Sequence, residues 1–408
     1  MNLVHSQHTK TKMDKKTKMS FSSVPRKFGK EWNHKESKDK EFVKFGYDNQ
    51  FPNNTIDLYN KSSIHASCVN AIVEGIVGNG LTANDESYLS HANNTGDTWN
   101  DIYERIALDY YLHGAFALEI IYSRDKTRIS EVYHVDFSHI RAREKDHRGK
   151  IPGYFISSEW NEKARFTNVD QDDILYLPTY NPFLKEEQPS QIYVSYKYHP
   201  AQEFYPLPNY IAAYKIIEVD VQVDNFHCNN LLNGMVPSLA ITTYNNAGDD
   251  ELREIQRQLE VSYGGTDNAG SIVYMDVADP SLKPDIQPIQ STSTDTYYST
   301  VNDLVMQKVL TAHRITSGLL LGIKEPGSLG GKQEMMDSYL LFQTMVIEPL
   351  QKDILSCLEK IMKFNHPDII LGVENKKLFV DGEVDTEVIT DGSTTEEEEK
   401  EINLPNVL

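Results

Sequence analysis

Residues 311–362 read TAHRITSGLLLGIKEPGSLGGKQEMMDSYLLFQTMVIEPLQKDILSCLEKIM, the end of one apolar stripe, a glycine-rich link and a second, longer stripe. In the second stripe Met336, Leu340, Gln343, Ile347, Leu350, Ile354, Leu358 and Ile361 recur at alternating three- and four-residue steps, which predicts a long helix from Gln333 to about Lys363. Pro349 is expected to kink it, because proline removes a backbone donor and its ring crowds the carbonyl four residues earlier. Upstream, Val301, Leu304, Val305, Val309, Ala312 and Ile315 share one face of a helix predicted to begin near Thr294 or Asp295. The pair His313-Arg314 at its end reads as a polar face or an interface contact. The link GIKEPGSLGGK is similar to a phosphate loop only superficially: Pro326 stands where the first glycine is needed and Gln333 where a hydroxyl would hold magnesium. It reads as a permissive connection between two helices.

Working outward, Asn209 to Asn233 is open to two readings. Tyr210, Tyr214, Ile217, Val221, Cys228, Leu231 and Leu232 suit a helix, while Ile217, Val219, Val221 and Val223 alternate with polar residues as in a strand. Length favours the helix, and Gly234 and Pro237 end it. The runs SLAITTY and SIVYMDV, with the helical pattern DDELREIQRQLEVSY between them, predict a small β-α-β block bounded by Pro237 and Pro280. Nearer the start, Ile56, Tyr59, Ile64, Cys68, Ile72 and Ile76 predict one helix after Pro52 that stops at Gly78 and Gly80. A second helix is expected from about Thr98 to Leu112, ending at Gly114. AFALEIIYS, SEVYHVD, GYFISSEW and ILYLPTY then read as strands of an α+β region that closes near Pro206.

The chain has 408 residues, 39% hydrophobic and 25% charged, which suits a large core of two or three domains and contains no apolar run long enough to span a bilayer. No membrane association is expected. Residues 1–20 lack the apolar segment of a secretory signal. Cys68, Cys228 and Cys357 are odd in number and far apart, which argues against a disulfide framework or a cysteine zinc site. Of the net charge of −20, residues 1–40 contribute eleven basic against four acidic residues, so the arm is +7 and the remainder −27. The arm reads as a basic, coreless segment; from Asp381 the chain is an acidic, solvated tail. A body this acidic repels phosphates, which counts against tight DNA binding and allows DNA to pass without being trapped.

No catalytic constellation emerges. The thirteen histidines form no HExxH or other ligand spacing, and His227 beside Cys228 lacks a second ligand pair. Asp170, Asp172 and Asp173 lack the glycine and distal glutamate of a calcium loop. There is no GxSxG nucleophile elbow. These residues imply no enzyme, no cofactor and no metal.

Taken in order, the opening helix, YYLHGAFALEIIYSRD, DDILYLPTYNP, the helix-block-helix region and the 311–362 stretch resemble the portal proteins of tailed bacteriophages, particularly the short siphovirus type. The resemblance spans roughly residues 40–365 and is carried by order and spacing. It implies an α+β portal fold with wing, helical stem, small α/β clip and long kinked wing helix, assembled as a cyclic ring, a dodecamer. On this template residues 1–40 are a flexible arm, 41–206 the wing, 207–234 a stem helix, 235–285 the clip, 286–317 the second stem helix, 318–332 the tunnel loop, 333–365 the wing helix and 366–408 a short crown or acidic tail. Asn209–Asn233 becomes the descending stem helix by that resemblance.

The implied function is the portal at one capsid vertex of the virion, assembled in the host cytoplasm, through which double-stranded DNA is packaged and ejected. Implied partners are the major capsid protein, the large terminase motor and the head-tail adaptor. Lys324, Gly327, Ser328, Gly330 and Lys332 are expected to line the tunnel loop and touch the duplex lightly. Arg253 and Arg257, on the polar side of the clip helix, are expected to serve docking. Val301, Leu304, Val305 and Tyr214 are expected to be exposed on the stem and buried by neighbouring copies. Two rivals are a nucleotide- or metal-dependent DNA-processing enzyme, which would need convergent ligands, and a scaffold that oligomerises without a bore.

Overall fold

The computed structural model describes residues 37–38, 42–160, 174–185, 187–233, 239–243, 272–276, 294–315, 317–322 and 332–377. Strand β1 (Ser37–Lys38) already pairs antiparallel with β2 (Val43–Lys44), so the basic arm meets the body before residue 41. The single opening helix expected after Pro52 is two: α1 (Phe51–Lys61) and α2 (Ser63–Val77). The break is chemical. Ser62 is extended (φ −96°, ψ 113°), and its Oγ accepts the backbone N–H of His65, capping α2.

Strand β3 (Leu81–Ala83) leads to α3 (Trp99–His113), which starts on a reciprocal Thr98/Asp101 capping box and ends at Gly114. Gly114 has φ +81°, and a Cβ there would lie 2.7 Å from the Leu207 carbonyl oxygen, so this stop accepts only glycine. Beyond it β4 (Ala115–Tyr122) is the central strand of an antiparallel sheet, flanked by β5 (Ile129–Val135) and β9 (Ser190–Tyr196). Ala115 to Leu118 are fully buried, which is why β4 reads as an unbroken apolar run. A second antiparallel sheet orders β6 (Ile140–Ala142), β7 (Gly153–Ile156) and β8 (Leu175–Pro178). The Tyr180 N–H donates to the Ile192 carbonyl at 2.7 Å and links the two sheets.

Residues 214–233 are helical, α4 (Tyr214–Asn233), which agrees with the helix reading of that ambiguous stretch. β10 (Leu239–Thr243) and β11 (Ile272–Asp276) pair in parallel, as a β-α-β block requires; the expected intervening helix lies outside the described residues. Helix α5 (Thr294–Ala312) then packs against α4. Two exposure expectations are corrected here. Val305 and Tyr214 are each only 2% exposed and belong to the chain's own core, whereas Leu304 is 47% exposed. Tyr214 stacks on Phe51 at 5.6 Å and shares a 2.8 Å hydrogen bond with Thr55, so α1 covers what a neighbour was expected to cover.

The long helix predicted to begin at Gln333 is present as α6 (Lys332–Phe342), a π turn (Gln343–Ile347) and α7 (Glu348–Met362). Pro349 cannot donate to the Met345 carbonyl; instead Arg314 Nη2 donates to it at 3.0 Å. The irregularity imposed by the proline thus sits one turn earlier, as a π bulge rather than at the proline itself. Gln351 Nε2 donates to the Ile76 carbonyl at 3.1 Å and to Asn375 Oδ1 at 2.8 Å, tying α7 to α2. The chain then returns as β12 (Leu371–Val373), antiparallel to β3.

Candidate functional site: the helix pair and the loop it carries

The α4–α5 pair is joined to the body by a buried cluster at the end of α5. His313 is 1% exposed. Its Nε2 lies 2.9 Å from His65 Nδ1 on α2, and its Nδ1 lies 2.7 Å from the Tyr111 hydroxyl on α3. Tyr210, just before α4, stacks on His313 at 4.8 Å and donates its hydroxyl to the Leu112 carbonyl at 2.7 Å. Four segments therefore meet at one imidazole. With Tyr111 donating to His313, His313 donates to His65, and the outer His65 nitrogen Nε2 carries a hydrogen with no partner among the described residues. Burial holds His65 down to about 4; burial, reinforced by His65, holds His313 down to about 3. Both rings are neutral at physiological pH.

This corrects the reading of His313 as a polar-face or interface residue. The signal was present in the spacing. His65 precedes Cys68, Ile72 and Ile76 at three- and four-residue steps, and His313 follows Val305 and Val309 at four-residue steps, so both stand on apolar stripes. A second buried link joins α4 to the α1–α2 corner, where Ser62 Oγ donates to Asp220 Oδ2 at 2.7 Å. Burial pushes the Asp220 carboxyl up from its ordinary value.

From this anchor the chain runs into a short turn, Gly318–Leu321, capped by Ser317 and closed by Gly322 at φ +75°. Of the expected loop residues, Lys324, Gly327, Ser328 and Gly330 lie outside the described residues. Lys332 is the first residue of α6, its side chain likewise outside them. Arg253 and Arg257, and the aspartates 170, 172 and 173, are also outside them. Among the described residues no group of three or more His, Cys, Asp or Glu is placed to hold a metal ion, and no helix is long and apolar enough to cross a membrane. Among the described residues, α6 and the π turn carry one group of exposed apolar side chains, Met336, Leu340, Leu341 and Met345, at 42% to 65% exposure.

Comparison with known proteins gives this arrangement its relatives. No curated protein sequence matches the chain. Among solved structures, the neck of the empty gene transfer agent (GTA) particle contains a chain similar at a TM-score of 0.52 and 16% identity, covering 78% of this chain and 83% of that one. The virion of the native GTA particle contains one at 0.51 and 16%, covering 79% and 84%. An HK97-family phage portal protein from Corynebacterium diphtheriae aligns at 0.39 and 13%, covering 78% and 93%. At these identities the likeness is one of fold. The profile of the family described as phage portal protein matches residues 70–395, a span that takes in the helix pair, the strands between its members and the long interrupted helix, and on that match the chain belongs to the phage portal protein family.

Proposed function

We propose that copies of this chain form the ring-shaped portal of a tailed-phage capsid, the channel through which double-stranded DNA enters and leaves. The observation that carries the reading is the family match over residues 70–395, most of the chain. In this reading the α+β body is the wing, α4 and α5 are the stem, the β10–β11 block is the clip, and residues 318–332 form the tunnel loop. The structure supports it with two antiparallel-running helices held at their base by the His65–His313–Tyr111 cluster, with the small parallel strand pair inserted between them in sequence. The neck structure of the GTA particle was computed with six-fold symmetry, which a ring of twelve copies obeys.

The channel is passive. Its acidic body, −27 outside the arm, repels phosphates, so contacts between DNA and wall stay short-lived. The work of moving DNA falls to a separate motor docking on the clip, where the head-tail adaptor docks afterwards. Arg253 and Arg257 are offered to those partners, and the wing to the major capsid protein. Lys324, in a loop that glycines 327, 330 and 331 leave permissive, and Lys332, where α6 begins at the loop's end, touch the duplex as it moves.

Deleting residues 324–330 tests the loop assignment. Ring assembly is expected to survive, because the helices on either side carry the packing stripes, while DNA packaging or retention in particles falls at least tenfold. Rings that fail to form would make the loop a structural element and remove it from the channel.

A further inference from the structure

We propose that the ring closes through two different flanks of α4: the basic, apolar groove between α4 and α5 of one copy receives the acidic groove between α1 and α4 of the next. The proposal rests on the ring reading above and names the surfaces that make it.

The first groove encloses about 620 Å³ and is floored by Ile216, Val219 and the half-exposed Leu304. Its charged lining residues are Lys215 and Lys308, and neither makes an ion pair with any described residue. The second groove encloses about 390 Å³ over Leu58 and Val221. It carries three carboxylates, Asp57, Glu218 and Asp224, against one ammonium, Lys61, which Asp57 already holds at 2.9 Å. One groove is therefore formally +2 and the other −2.

The two grooves use different sides of the same helix. At 100° per residue, the mean direction of Lys215, Ile216 and Val219 stands about 100° round α4 from that of Glu218, Gln222 and Asn225. That separation lets the two grooves face two different neighbours. A two-fold contact could also pair the unlike grooves, each with the other across one axis, but it would stop at a dimer. Used toward two neighbours, the unlike grooves make a heterologous, head-to-tail contact, the kind that generates a closed ring. The apolar floor contributes burial, and the charges set partner and register. A second copy of this chain is the occupant that satisfies both grooves at once.

The test uses two charge-reversed full-length variants, Lys215→Glu/Lys308→Glu and Asp57→Lys/Asp224→Lys. All four positions are exposed, so circular dichroism and thermal melting are expected to match the wild type. At low salt the wild type forms rings, whereas each variant alone shifts the concentration for assembly upward by at least tenfold. An equimolar mixture restores rings, because the acidic copy of the first groove fits the basic copy of the second and the two alternate around an even-numbered ring. The neutral Lys215→Gln/Lys308→Gln variant gives an intermediate shift. Wild-type-like assembly by both reversed variants would place the contact elsewhere and leave the ring reading standing. Folded variants that the mixture fails to restore would also overturn the proposal. A wild type that makes no rings would take down the ring reading and this proposal together.

Discussion

Between pH 7 and pH 4.5 the folded chain is expected to lose on the order of 5 kcal/mol of stability through His65 and His313 alone. The sign follows from the direction of both shifts. An unfolded histidine takes up its proton near pH 6.5, whereas burial holds these two at about 4 and about 3. Their contribution is complete above pH 6.5, because both states are then neutral. It declines as the pH falls, since the unfolded chain binds protons that the folded chain refuses, and the loss levels off only through the folded values. Denaturant unfolding at half-unit pH steps reads this directly. The double variant His65→Asn/His313→Gln is expected to flatten the slope between pH 6.5 and 4.5 by about two protons. An unchanged slope would contradict the neutral, buried pair. His113, fully buried and also lowered, adds in the same direction and is common to both proteins.

Arg141→Met is expected to cost about 3–5 kcal/mol, since an unsatisfied buried acceptor costs about 1–3 kcal/mol and three backbone carbonyls lose their donor. The guanidinium is fully buried and has no carboxylate partner among the described residues. Instead Nε donates to Asn49 Oδ1 at 2.6 Å, Nη2 to the Asn49 carbonyl at 2.9 Å, and Nη1 to the Ser138 and Ile140 carbonyls at 2.8 and 2.7 Å. Trp160 lies under it at 5.1 Å. Burial pulls its pKa to about 10, so it stays charged at neutral pH, with four neutral oxygens in place of bulk water. Asn49, which holds a left-handed turn at φ +61°, depends on those contacts, as does the N-terminal segment stacked through Phe45 on Tyr205 at 4.2 Å. Removing the fork leaves several buried acceptors unpaired. Arg141→Lys should not restore stability, because one ammonium cannot reach all four oxygens in the planar geometry. The midpoint of chemical unfolding decides it: a loss under about 1 kcal/mol for the methionine variant would contradict this account.

These two sites show where sequence was readable and where it was not. Local signals worked where one residue type enforces one conformation: Thr98 and Gly114 bracket α3, and the three- and four-residue steps from Met336 to Ile361 mark the long helix. The break at Ser62 was hidden because Ile56 to Ile76 keeps a nearly helical phase across it, although a serine three residues before His65 is a cap by type. Pro349 announced a disturbance but not its form, since the orphaned Met345 carbonyl is satisfied by Arg314, thirty-one residues earlier. Strand β9 carried alternation at Ile192 and Val194 that drew no expectation, and β3 with β12 joins two three-residue segments almost 290 residues apart. Arg141 reads as a surface residue on any hydropathy scale; its burial depends on a turn ninety-two residues away. The family resemblance was legible because order and spacing along the chain survive where individual residues do not.

The central claim, a ring with a bore, meets its most direct test in electron micrographs of the purified full-length chain. The account predicts closed rings with a stain-filled central channel, at a mass of about 560 kDa for twelve copies of the 46.6 kDa chain. Monomers at micromolar concentration with the fold intact, or oligomers without a central channel, would contradict it.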